Sequence, residues 1–384
     1  MDDVCAAIVL AAGSSRRMGA LTHDRPKSLL TYRGEPILAR LLRQIAANGV
    51  TEVVLVAGYC KNEVLRLIDD LARPSVRVVE NDLFADDMNI HSMRLALREV
   101  SSSVVVFEAD TVMEDAMVAY ATGTDFEHRS VWFTRGPFTS DQYGGIVKSD
   151  ALGRVVDVRV VDRFAPEYAG YGKMTGVMRI SAAEVPHLRD LVEQYASRSL
   201  RQYFFTPWTD HVDRLPSIEG DARHYLFRTF NTPAEWEAIL RVDFDPAPAR
   251  EVAIELLETA RLRHIEGYDE TRVAMLMEKI RRDGVWTKPL YVERTHQLVL
   301  DGQHRLQAAL RMGLRVVPAQ AFPYSEVSVW TLRKEESVDV PTVIRRAQAG
   351  DLYPYKTVKH KFPNAIGECR IPLADLAGAE RPAR

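Results

Sequence analysis

Short runs of β-branched residues alternate with longer amphipathic stretches between residues 6 and 110. The opening run, AAIVLAAG, is followed by ILARLLRQIAANGV, TEVVLVAGY, KNEVLRLIDDLA and VRVVEND, and then by NIHSMRLALREV and SSVVVFEAD. Runs that are apolar throughout are typical of parallel strands covered on both faces. A helix is the usual crossover between such strands. The alternation therefore predicts an α/β fold with a doubly wound, mostly parallel sheet.

The chain has 384 residues, which is enough for two domains, since single cores rarely grow beyond roughly 250–300 residues. Near Asp243 the run DFDPAPAR combines two prolines with small residues, a pattern typical of a hinge. We therefore predict a first domain over residues 1–243 and a smaller α+β domain over residues 250–384. In the second, REVAIELLETARL and ETRVAMLMEKIRRDGV predict helices, KPLYVERTHQLVLDG predicts two strands, and HRLQAALRMG predicts a helix.

The charge balance limits the partners that the chain can have. Fifty basic residues stand against 53 acidic ones, for a net charge of -3, so no basic surplus is available to bind polymeric nucleic acid. The start, MDDVCAAIVLAAG, has acids where a signal peptide has bases, and no apolar run approaches the roughly 20 residues that span a bilayer. We expect a cytoplasmic protein without nucleic-acid or membrane partners. The sequence shows no readable interface, so a homodimer stays an open alternative.

A turn of small residues, LAAGSSRRMG, directly follows the first predicted strand. In α/β folds, backbone N–H groups at this position bind phosphates. RPKSLL comes next, where Pro26 stiffens the chain and Lys27 adds a positive charge near the same phosphates. The two motifs predict a nucleotide-binding loop that contains Ala11, Ala12, Gly13, Ser14, Ser15 and Arg16.

Together, LAAGSSRRMG and RPKSLL resemble the signature of the sugar-nucleotidyltransferase superfamily, over roughly residues 1–240. The stretch VVENDLFADDMNIHSMRLAL is similar to one in phosphocholine and phosphonate cytidylyltransferases, which implies nucleotide contacts from Asn89 and Ser92. The resemblance implies that the domain transfers CMP from CTP, or another nucleotide from its triphosphate, to a small phosphorylated acceptor. It also implies that Asp110, in VVVFEAD, binds Mg²⁺ and that Lys173, in YGKMTGVMRIS, lies near the acceptor.

This reaction brings two anions together, so cations and aligned N–H groups must offset their repulsion. We assign this catalytic role to Lys27 and Arg17, beside the metal ligand Asp110. Many related enzymes have a second metal-binding Asp in a late segment, where FNTPAEW here provides Asn231. An Asn can bind Mg²⁺ through its carbonyl oxygen but adds no negative charge. Asp210, in WTDHVD, is a rival for this second position.

A second group of functional residues occurs in VLDGQHRLQAALRMG, where Asp301, Gly302, His304 and Arg305 meet at a predicted strand-to-helix turn. An acid at this position is also an ordinary helix cap. The order of GYDETRVAMLMEKIRRDGVWTKPLYVE and this motif resembles the ParB/sulfiredoxin-like fold, and more closely its free serine kinase branch. PYKTVKHKF resembles a further motif of that branch. Gln303 differs, because these kinases often have a His at its position.

The kinase resemblance implies a role for each of these residues. Glu266 or Asp301 would accept the proton of a serine-like hydroxyl, while Mg²⁺ and Arg305 offset charge on the transferred phosphoryl group. Gly302 and His304 would contact the nucleotide donor, ADP or ATP, together with Arg305. The hydroxyl substrate would be held by Lys356, Thr357 and His360.

A kinase fused to a cytidylyltransferase can produce the phosphate monoester that the second activity uses. We therefore expect a bifunctional enzyme that phosphorylates serine or a relative and then transfers CMP to the product, releasing pyrophosphate. One alternative is that the second domain is a nucleotide-binding regulator or a ParB-like DNA-binding module, although no basic helix-turn-helix segment follows its motifs. Another is that this domain is degenerate and purely structural.

Overall fold

The chain forms two compact units, Met1–Asp245 and Pro246–Arg384. The structure, a computed structural model, describes residues 6–69, 74–123, 126, 128–245, 253–331, 333, 335–363 and 368–377. The residues from 246 to 250, which the sequence predicts as a hinge, lie outside the described residues. None of the described helices has the length and hydropathy that crossing a bilayer requires.

A nine-stranded sheet forms the framework of the first unit within the described residues. Its strands are β1 Ala6–Ala11, β2 Glu52–Ala57, β3 Ser75–Glu80, β4 Val104–Glu108, β5 Ser130–Pro137, β6 Gly144–Ser149, β7 Val155–Val161, β8 Gly172–Ile180 and β9 Ser217–Asp221. Its α-helices are α1 Ile37–Ala47, α2 Lys61–Asp69, α3 Ile90–Leu97, α4 Asp115–Thr122, α5 Val185–Arg198, α6 Thr206–His211 and α7 Pro233–Leu240. Shorter elements are the strand pairs Thr31–Tyr32 with Glu35–Pro36 and Thr111–Met113 with Phe227–Thr229, and the 3₁₀ segments Arg16–Thr22, Lys27–Leu29 and Pro166–Tyr168.

The strands of this sheet follow the order β7-β6-β8-β4-β1-β2-β3, and β5 pairs with both β8 and β9. The neighbours β4, β1, β2 and β3 are parallel to one another. Beyond them β8 runs antiparallel to β4, and β6 and β7 form an antiparallel hairpin. The predicted α/β class with a large, mostly parallel sheet is confirmed.

Strand β1 lies in the middle of the parallel region and is buried along its whole length. Side chains alternate between the two faces of a strand. Ile8 packs with apolar residues of α3 and α5 on one face, and its neighbour Val9, which points to the other face, is equally buried. Burial of both faces explains why the run AAIVLA is apolar throughout.

The second unit contains a five-stranded mixed sheet among its described residues, in the order β10-β14-β12-β13-β11. These strands are β10 Glu255–Glu258, β11 Arg263–His264, β12 Leu290–Glu293, β13 Leu298–Asp301 and β14 Val316–Phe322. The helices are α8 Glu270–Asp283, α9 Gln303–Arg311, α10 Val340–Ala349 and α11 Leu373–Ala377. Two short antiparallel pairs, Val285–Trp286 with Ile371–Pro372 and Ser328–Thr331 with Val358–Lys361, and the 3₁₀ segments Thr259–Arg261 and Tyr324–Glu326 complete it.

The helix predicted for REVAIELLETARL is wrong. Its described part forms β10 and then the 3₁₀ segment Thr259–Arg261. β10 pairs antiparallel with β14, whose other edge is occupied by β12. The backbone hydrogen bonds of this edge outweigh the helix propensity of the run, since tertiary pairing routinely overrides local preference.

The end of the first unit is attached to α1 by a bidentate ion pair. The Arg40 guanidinium donates hydrogen bonds to both oxygens of Asp245, at 2.7 and 2.6 Å, and a third to the Met113 carbonyl. The Arg40 side chain is 4% exposed and that of Asp245 is 41% exposed. Arg40 holds the pKa of Asp245 below its usual range. The buried guanidinium therefore depends on this carboxylate for its counter-charge.

We predict that Asp245→Asn destabilises the protein, because it leaves the buried Arg40 charge unbalanced. The partial exposure of Asp245 moderates the loss to about 1–2 kcal/mol, or roughly 3–8 °C in melting temperature. Calorimetry of the full chain measures this shift. The matched control is Asp243→Asn. The Asp243 carboxylate forms an exposed ion pair with Arg33, so its loss should change the melting temperature little. Equal shifts in the two variants would contradict the prediction.

Candidate functional site

The loop after β1 has an open, largely polar surface. Ala11 is the last residue of β1 and Ala12 is buried behind it. Gly13 is exposed, and a side chain at its position would meet open space. Ser14 is half-buried, whereas Arg16 is exposed and forms no hydrogen bond or ion pair with the described residues. The predicted nucleotide loop thus presents backbone and an unpaired guanidinium to solvent.

Ser15 connects this loop to the segment that contains Lys27. Its φ of 54° lies in the left-handed region, and its carbonyl accepts a hydrogen bond from the Met18 N–H at 2.9 Å. The Ser15 hydroxyl accepts a hydrogen bond from the Lys27 backbone N–H at 3.2 Å. The two sequence motifs, LAAGSSRRMG and RPKSLL, are therefore held against each other by this serine.

Four of the predicted site residues meet in one cluster at the carboxyl edge of the sheet. The Lys27 ammonium lies 2.6 Å from Oδ2 of Asp110 and 3.2 Å from Oδ1 of Asn231. Arg17 donates a hydrogen bond to the same Asn231 oxygen at 2.7 Å. Lys27 and Asp110 side chains are each about one-fifth exposed, so their ion pair is only partly screened by solvent.

The fold explains how residues from three distant segments reach this cluster. Asp110 follows the carboxyl end of β4, where α/β sheets collect functional groups. The next residues, Thr111–Met113, pair with Phe227–Thr229, and the Phe230 N–H donates to the Asp110 carbonyl at 3.1 Å. This pairing places Phe230 opposite Asp110 and brings the next residue, Asn231, beside it.

The oxygens of this cluster fit Mg²⁺. Asp110 Oδ1 is buried and has no hydrogen-bond partner among the described residues. Asn231 Oδ1 supplies a neutral oxygen, and both residues border a cavity that Glu108 also lines. Hard cations of this kind prefer oxygen ligands and usually take several of them from water or phosphate. Ligands from water or phosphate are needed at this cluster, because the described residues contain no cluster of three or more acidic, His or Cys side chains arranged to hold a metal.

A cavity of about 270 Å³ lies beside the cluster. Its charged lining consists of the cations Arg135 and Lys173 and the acids Glu108, Asp110, Asp141 and Glu235. Aromatic side chains, among them Tyr203, form part of the remaining wall. The cavity therefore combines both signs of charge with surfaces suited to a small organic ligand.

Lys173 lies on β8 and is buried, with one hydrogen bond from its ammonium to the Gly145 carbonyl at 3.0 Å. Burial lowers the pKa of Lys173 to about 8, and the charge of Arg135 contributes in the same direction. The Glu108 carboxylate opposes this shift. Lys173 is thus a cation at neutral pH that still has two donors for an anion in the cavity.

Glu108 is a site residue that our sequence analysis did not identify. Burial raises its pKa to about 7, and the charge of Asp110 adds to the increase. Gly176, at a φ of 81°, makes room for it, because a Cβ at Gly176 would lie 2.7 Å from Oε2 of Glu108. The sequence could have identified Glu108, because it precedes Asp110 by two residues at the end of a predicted strand, and residues two apart in a strand share a face.

Asn89 and Ser92 have different surroundings. Asn89 donates to Oε1 of Glu108 at 3.2 Å and accepts from the Phe204 N–H at 2.7 Å, so it supports the cavity wall. Ser92 is buried, and its hydroxyl donates to Asp87 at 2.8 Å. The structure therefore links Asn89 to the site through Glu108 and places the Ser92 hydroxyl inside the unit.

Asp210, the rival for the second metal position, lies on α6. Its carboxylate accepts a hydrogen bond from the Tyr195 hydroxyl at 2.5 Å, and it does not line the cavity. The structure brings Asn231, and not Asp210, to Asp110.

In the second unit, Gly302 connects β13 to α9 with a φ of 107°, in the left-handed region. A Cβ there would lie 2.6 Å from the Leu290 side chain, so the turn requires glycine. Arg305 donates to Asp301 across this turn at 2.9 Å and also to the Pro289 carbonyl. Asp301 and Arg305 are thus paired with each other at the start of α9.

His304 is the second residue of α9, and its Nε2 accepts a hydrogen bond from the Asp269 N–H at 3.1 Å. Burial lowers its pKa to about 4, so the imidazole is neutral at pH 7. Its ring packs edge-on against Tyr355 at 5.0 Å, and the Lys356 ammonium lies 5.3 Å from the same Tyr355 ring. His304 and Lys356 therefore flank one tyrosine beside the start of α9.

Glu266 is buried and accepts hydrogen bonds from the backbone N–H groups of Thr357, at 2.8 Å, and Val358. Burial raises its pKa to about 7 despite these hydrogen bonds, and the nearby charge of Asp301 acts in the same direction. Arg263 and His264 pair in parallel with Leu298 and Val299, which brings Glu266 near Asp301 at the start of α9. The Glu266 carboxyl group can exchange a proton near neutral pH.

Thr357 and His360 lie inside the unit. Thr357 is fully buried and donates its hydroxyl to the Pro354 carbonyl at 2.7 Å. His360 is buried with Nε2 at 2.8 Å from the Tyr324 hydroxyl, and burial lowers its pKa to about 3. The structure groups Glu266, Asp301 and His304, but it does not bring the Thr357 hydroxyl or the His360 ring to the surface beside them.

Comparisons with known proteins bear on both units. Residues 7–139 match the model of the MobA-like NTP transferase domain. CMP-5'-(3-aminopropyl)phosphonate synthase of Streptomyces rubellomurinus is 25% identical over 366 residues, which cover 77% of this chain and 58% of the relative. 2-Aminoethylphosphonate cytidylyltransferase of Lancefieldella rimae is 28% identical over 209 residues, or 54% of this chain and 78% of the relative. The chain thus spans less than two thirds of the first of these relatives.

Among solved structures, the CTP:phosphocholine cytidylyltransferase of Streptococcus pneumoniae matches with a TM-score of 0.53 and 20% identity, covering 62% of this chain and 98% of that chain. A free serine kinase in complex with ADP matches with a TM-score of 0.31 and 12% identity, covering 34% of this chain and 97% of that chain. The resemblance of the first unit to nucleotidyltransferases, inferred from the sequence, is therefore confirmed. Residues 7–139 are similar to a MobA-like NTP transferase domain, and the relatives of the chain include cytidylyltransferases.

We predict that anion binding in the cavity weakens above pH 8, because Lys173 loses its proton there. Sulfate is a suitable probe, since its charge is constant over this range. Between pH 7.5 and 9.5 its affinity should fall by about tenfold, whereas Lys173→Arg should keep it nearly constant because a guanidinium stays protonated. Isothermal titration calorimetry measures both.

The control for this prediction is Lys148→Met, which removes an exposed lysine of β6 and should retain the wild-type dependence on pH. A profile in Lys173→Arg that parallels that of the wild type would show that another group controls the binding.

Proposed function

We propose that the first unit transfers CMP from CTP to a small acceptor that carries a phosphate or phosphonate, with release of pyrophosphate and with Mg²⁺ as cofactor. The observation that carries this proposal is the contact of the Lys27 ammonium with Asp110 and Asn231 beside the cavity. The named activities of the relatives support cytosine as the base and a small acceptor that carries a phosphate or phosphonate.

In this reaction an acceptor oxygen attacks the α-phosphorus of CTP, and the bond from that phosphorus to the bridging oxygen of the β-phosphate breaks. The electron pair leaves with pyrophosphate. Lys27 and Arg17 lie where they can offset the negative charge of the triphosphate, and the backbone N–H groups after Gly13 can donate to its oxygens. Lys173, which lines the same cavity, can neutralise the acceptor phosphate.

Asp110 and Asn231, with Glu108 beside them, are the residues that would hold Mg²⁺. When bound, the ion neutralises charge on phosphate oxygens. The ion pair between Lys27 and Asp110 has a further consequence for the residues themselves. Lys27 holds the Asp110 carboxylate in place through Oδ2, and Oδ1 stays without a hydrogen bond among the described residues. The pair therefore orients one oxygen of Asp110 toward a cation.

We predict that Lys27→Met and Asp110→Asn each lower kcat/KM for CTP-dependent pyrophosphate release by about 10²–10³. Because the two side chains are in contact, the double variant should lose much less than the product of the single losses. Release of pyrophosphate from CTP with a panel of phosphorylated acceptors measures this.

Lys61→Met is the control for the N-terminal lysine, because its exposed ammonium pairs with Glu80. Its activity should equal that of the wild type. A loss below tenfold in either Lys27→Met or Asp110→Asn would contradict the proposed site.

We also propose that the second unit phosphorylates a small hydroxyl compound, serine or a relative, with ADP or ATP as donor, and that its product is the acceptor of the first unit. The grouping of Glu266, Asp301 and His304 at the start of α9 supports this. With a pKa near 7, Glu266 is suited to accept the hydroxyl proton. The helix start and Arg305 can offset charge on the transferred phosphoryl group.

We predict that Asp301→Asn abolishes phosphorylation of serine, by at least about 10²-fold, and leaves pyrophosphate release from CTP unchanged. Asp283→Asn, at the exposed end of α8, is the control and should retain both activities. Mass spectrometry of the phosphorylated product and the pyrophosphate assay read the two reactions separately. If Asp301→Asn changes neither, the second unit has a structural or regulatory function instead.

A further inference from the structure

One charged residue of the cavity has no assigned role in the proposed reaction. Arg135, on β5, lines the cavity but forms no hydrogen bond or ion pair with the described residues. Its neighbour in sequence, Gly136, packs against the side chain of Arg223, which in contrast is paired with Asp221 at 2.6 Å. The protein thus supplies a carboxylate for Arg223 and leaves the Arg135 guanidinium available to a ligand.

The charges of the cavity follow one another in a definite order. The pKa of Glu108 responds to Asp110 and to Lys173. That of Lys173 responds to Arg135 and to Glu108. The strand order agrees, because β8, which carries Lys173, pairs with β4, the strand of Glu108, and also with β5, the strand of Arg135. Lys173 therefore lies between Glu108 and Arg135, and Arg135 is the cation on the strand farther from Asp110. A ligand whose phosphate faces Lys173 and the cluster of Asp110 and Lys27 extends its other end toward Arg135.

A carboxylate, Asp141, lies in the loop that follows β5, the strand of Arg135. It lines the cavity, and the Thr139 hydroxyl donates to its Oδ1 at 2.5 Å. This hydrogen bond holds the pKa of Asp141 below its usual range, with a smaller contribution from Arg135. Asp141 is therefore ionised at neutral pH and can accept a hydrogen bond from an ammonium group.

We propose that the acceptor of the first unit is a phosphorylated α-amino acid, whose carboxylate binds Arg135 and whose ammonium group binds Asp141. A guanidinium presents a planar set of donors that matches a carboxylate. An acceptor with only a cationic tail would instead meet the unpaired Arg135 charge. This inference rests on the nucleotidyl transfer proposed for the first unit. It also agrees with the second unit's proposed product, since phosphorylated serine has this carboxylate.

O-Phosphoserine and O-phosphoethanolamine test the inference, because they differ only in the carboxylate. With the full-length protein, CTP and Mg²⁺, we expect kcat/KM for O-phosphoserine to exceed that for O-phosphoethanolamine by about 10²-fold, as a charge-assisted bidentate pair allows. Arg135→Gln should raise the KM for O-phosphoserine by a similar factor and change that for O-phosphoethanolamine by less than about threefold. The KM effect is specific to carboxylate binding, since a general structural defect would affect both acceptors.

Arg223→Gln is the matched control, since it removes a neighbouring guanidinium that already has a partner, and it should retain the preference for O-phosphoserine. Asp141→Asn should weaken the use of O-phosphoserine and leave that of 3-phosphoglycerate, which lacks an ammonium group, unchanged. A wild-type preference for O-phosphoethanolamine or phosphocholine would overturn the inference. So would an equal loss for O-phosphoserine and O-phosphoethanolamine in Arg135→Gln.

Failure of the proposed transfer reaction has a different signature. In that case no acceptor yields pyrophosphate from CTP. The affinity for O-phosphoserine, measured by calorimetry, then tests the inference without the transfer reaction. Binding that Arg135→Gln weakens at least about tenfold supports a carboxylate site, and equal binding of O-phosphoserine and O-phosphoethanolamine by the wild type refutes it.

Discussion

The ammonium group of Lys27, held between the Asp110 carboxylate and the Asn231 amide oxygen, connects three segments that are far apart in the chain. Each segment reaches this point for a separate reason. The Lys27 segment is fixed by its hydrogen bond to Ser15, Asp110 follows the carboxyl end of a central strand, and Asn231 follows a short strand that pairs beside Asp110. Together, these three features of the first unit bring the side chains of Lys27, Asp110 and Asn231 within hydrogen-bonding distance.

The cavity next to this cluster is electrostatically unbalanced without a ligand. Desolvation makes the charged form of a group costly, so it raises the pKa of Glu108 and lowers that of Lys173, both toward neutrality. A ligand with charges opposite to those of Glu108 and Lys173 offsets the cost of desolvating these two side chains. The Arg135 guanidinium, which forms no hydrogen bond or ion pair with the described residues, is a further cation of the lining that a ligand can contact. The walls are therefore better suited to an anionic, polar ligand than to an apolar one.

Much of this architecture could be predicted from the sequence, because the parallel strands are apolar throughout and functional groups in such sheets follow strand ends. The meeting of Lys27, Asp110 and Asn231 follows from those rules and from the resemblance. Arg135 could not be predicted, because its position depends on how the antiparallel strands pair. The residues of strand β10 were predicted to form a helix, because their partner strand, β14, is distant in sequence. The burial of Ser92 and His360 depends on hydrogen bonds to Asp87 and Tyr324, which no local pattern shows.

The final residues of the first unit return to its beginning. The Tyr32 hydroxyl donates to the Val242 carbonyl at 2.7 Å and accepts from the Phe244 N–H at 3.1 Å, and Asp245 neutralises Arg40. The natural limit of an independently expressed first unit therefore lies after Asp245. A recombinant fragment cut at residue 243 would discard both the Phe244 side chain and the counter-charge of a buried guanidinium, and its poor yield would say nothing about catalysis.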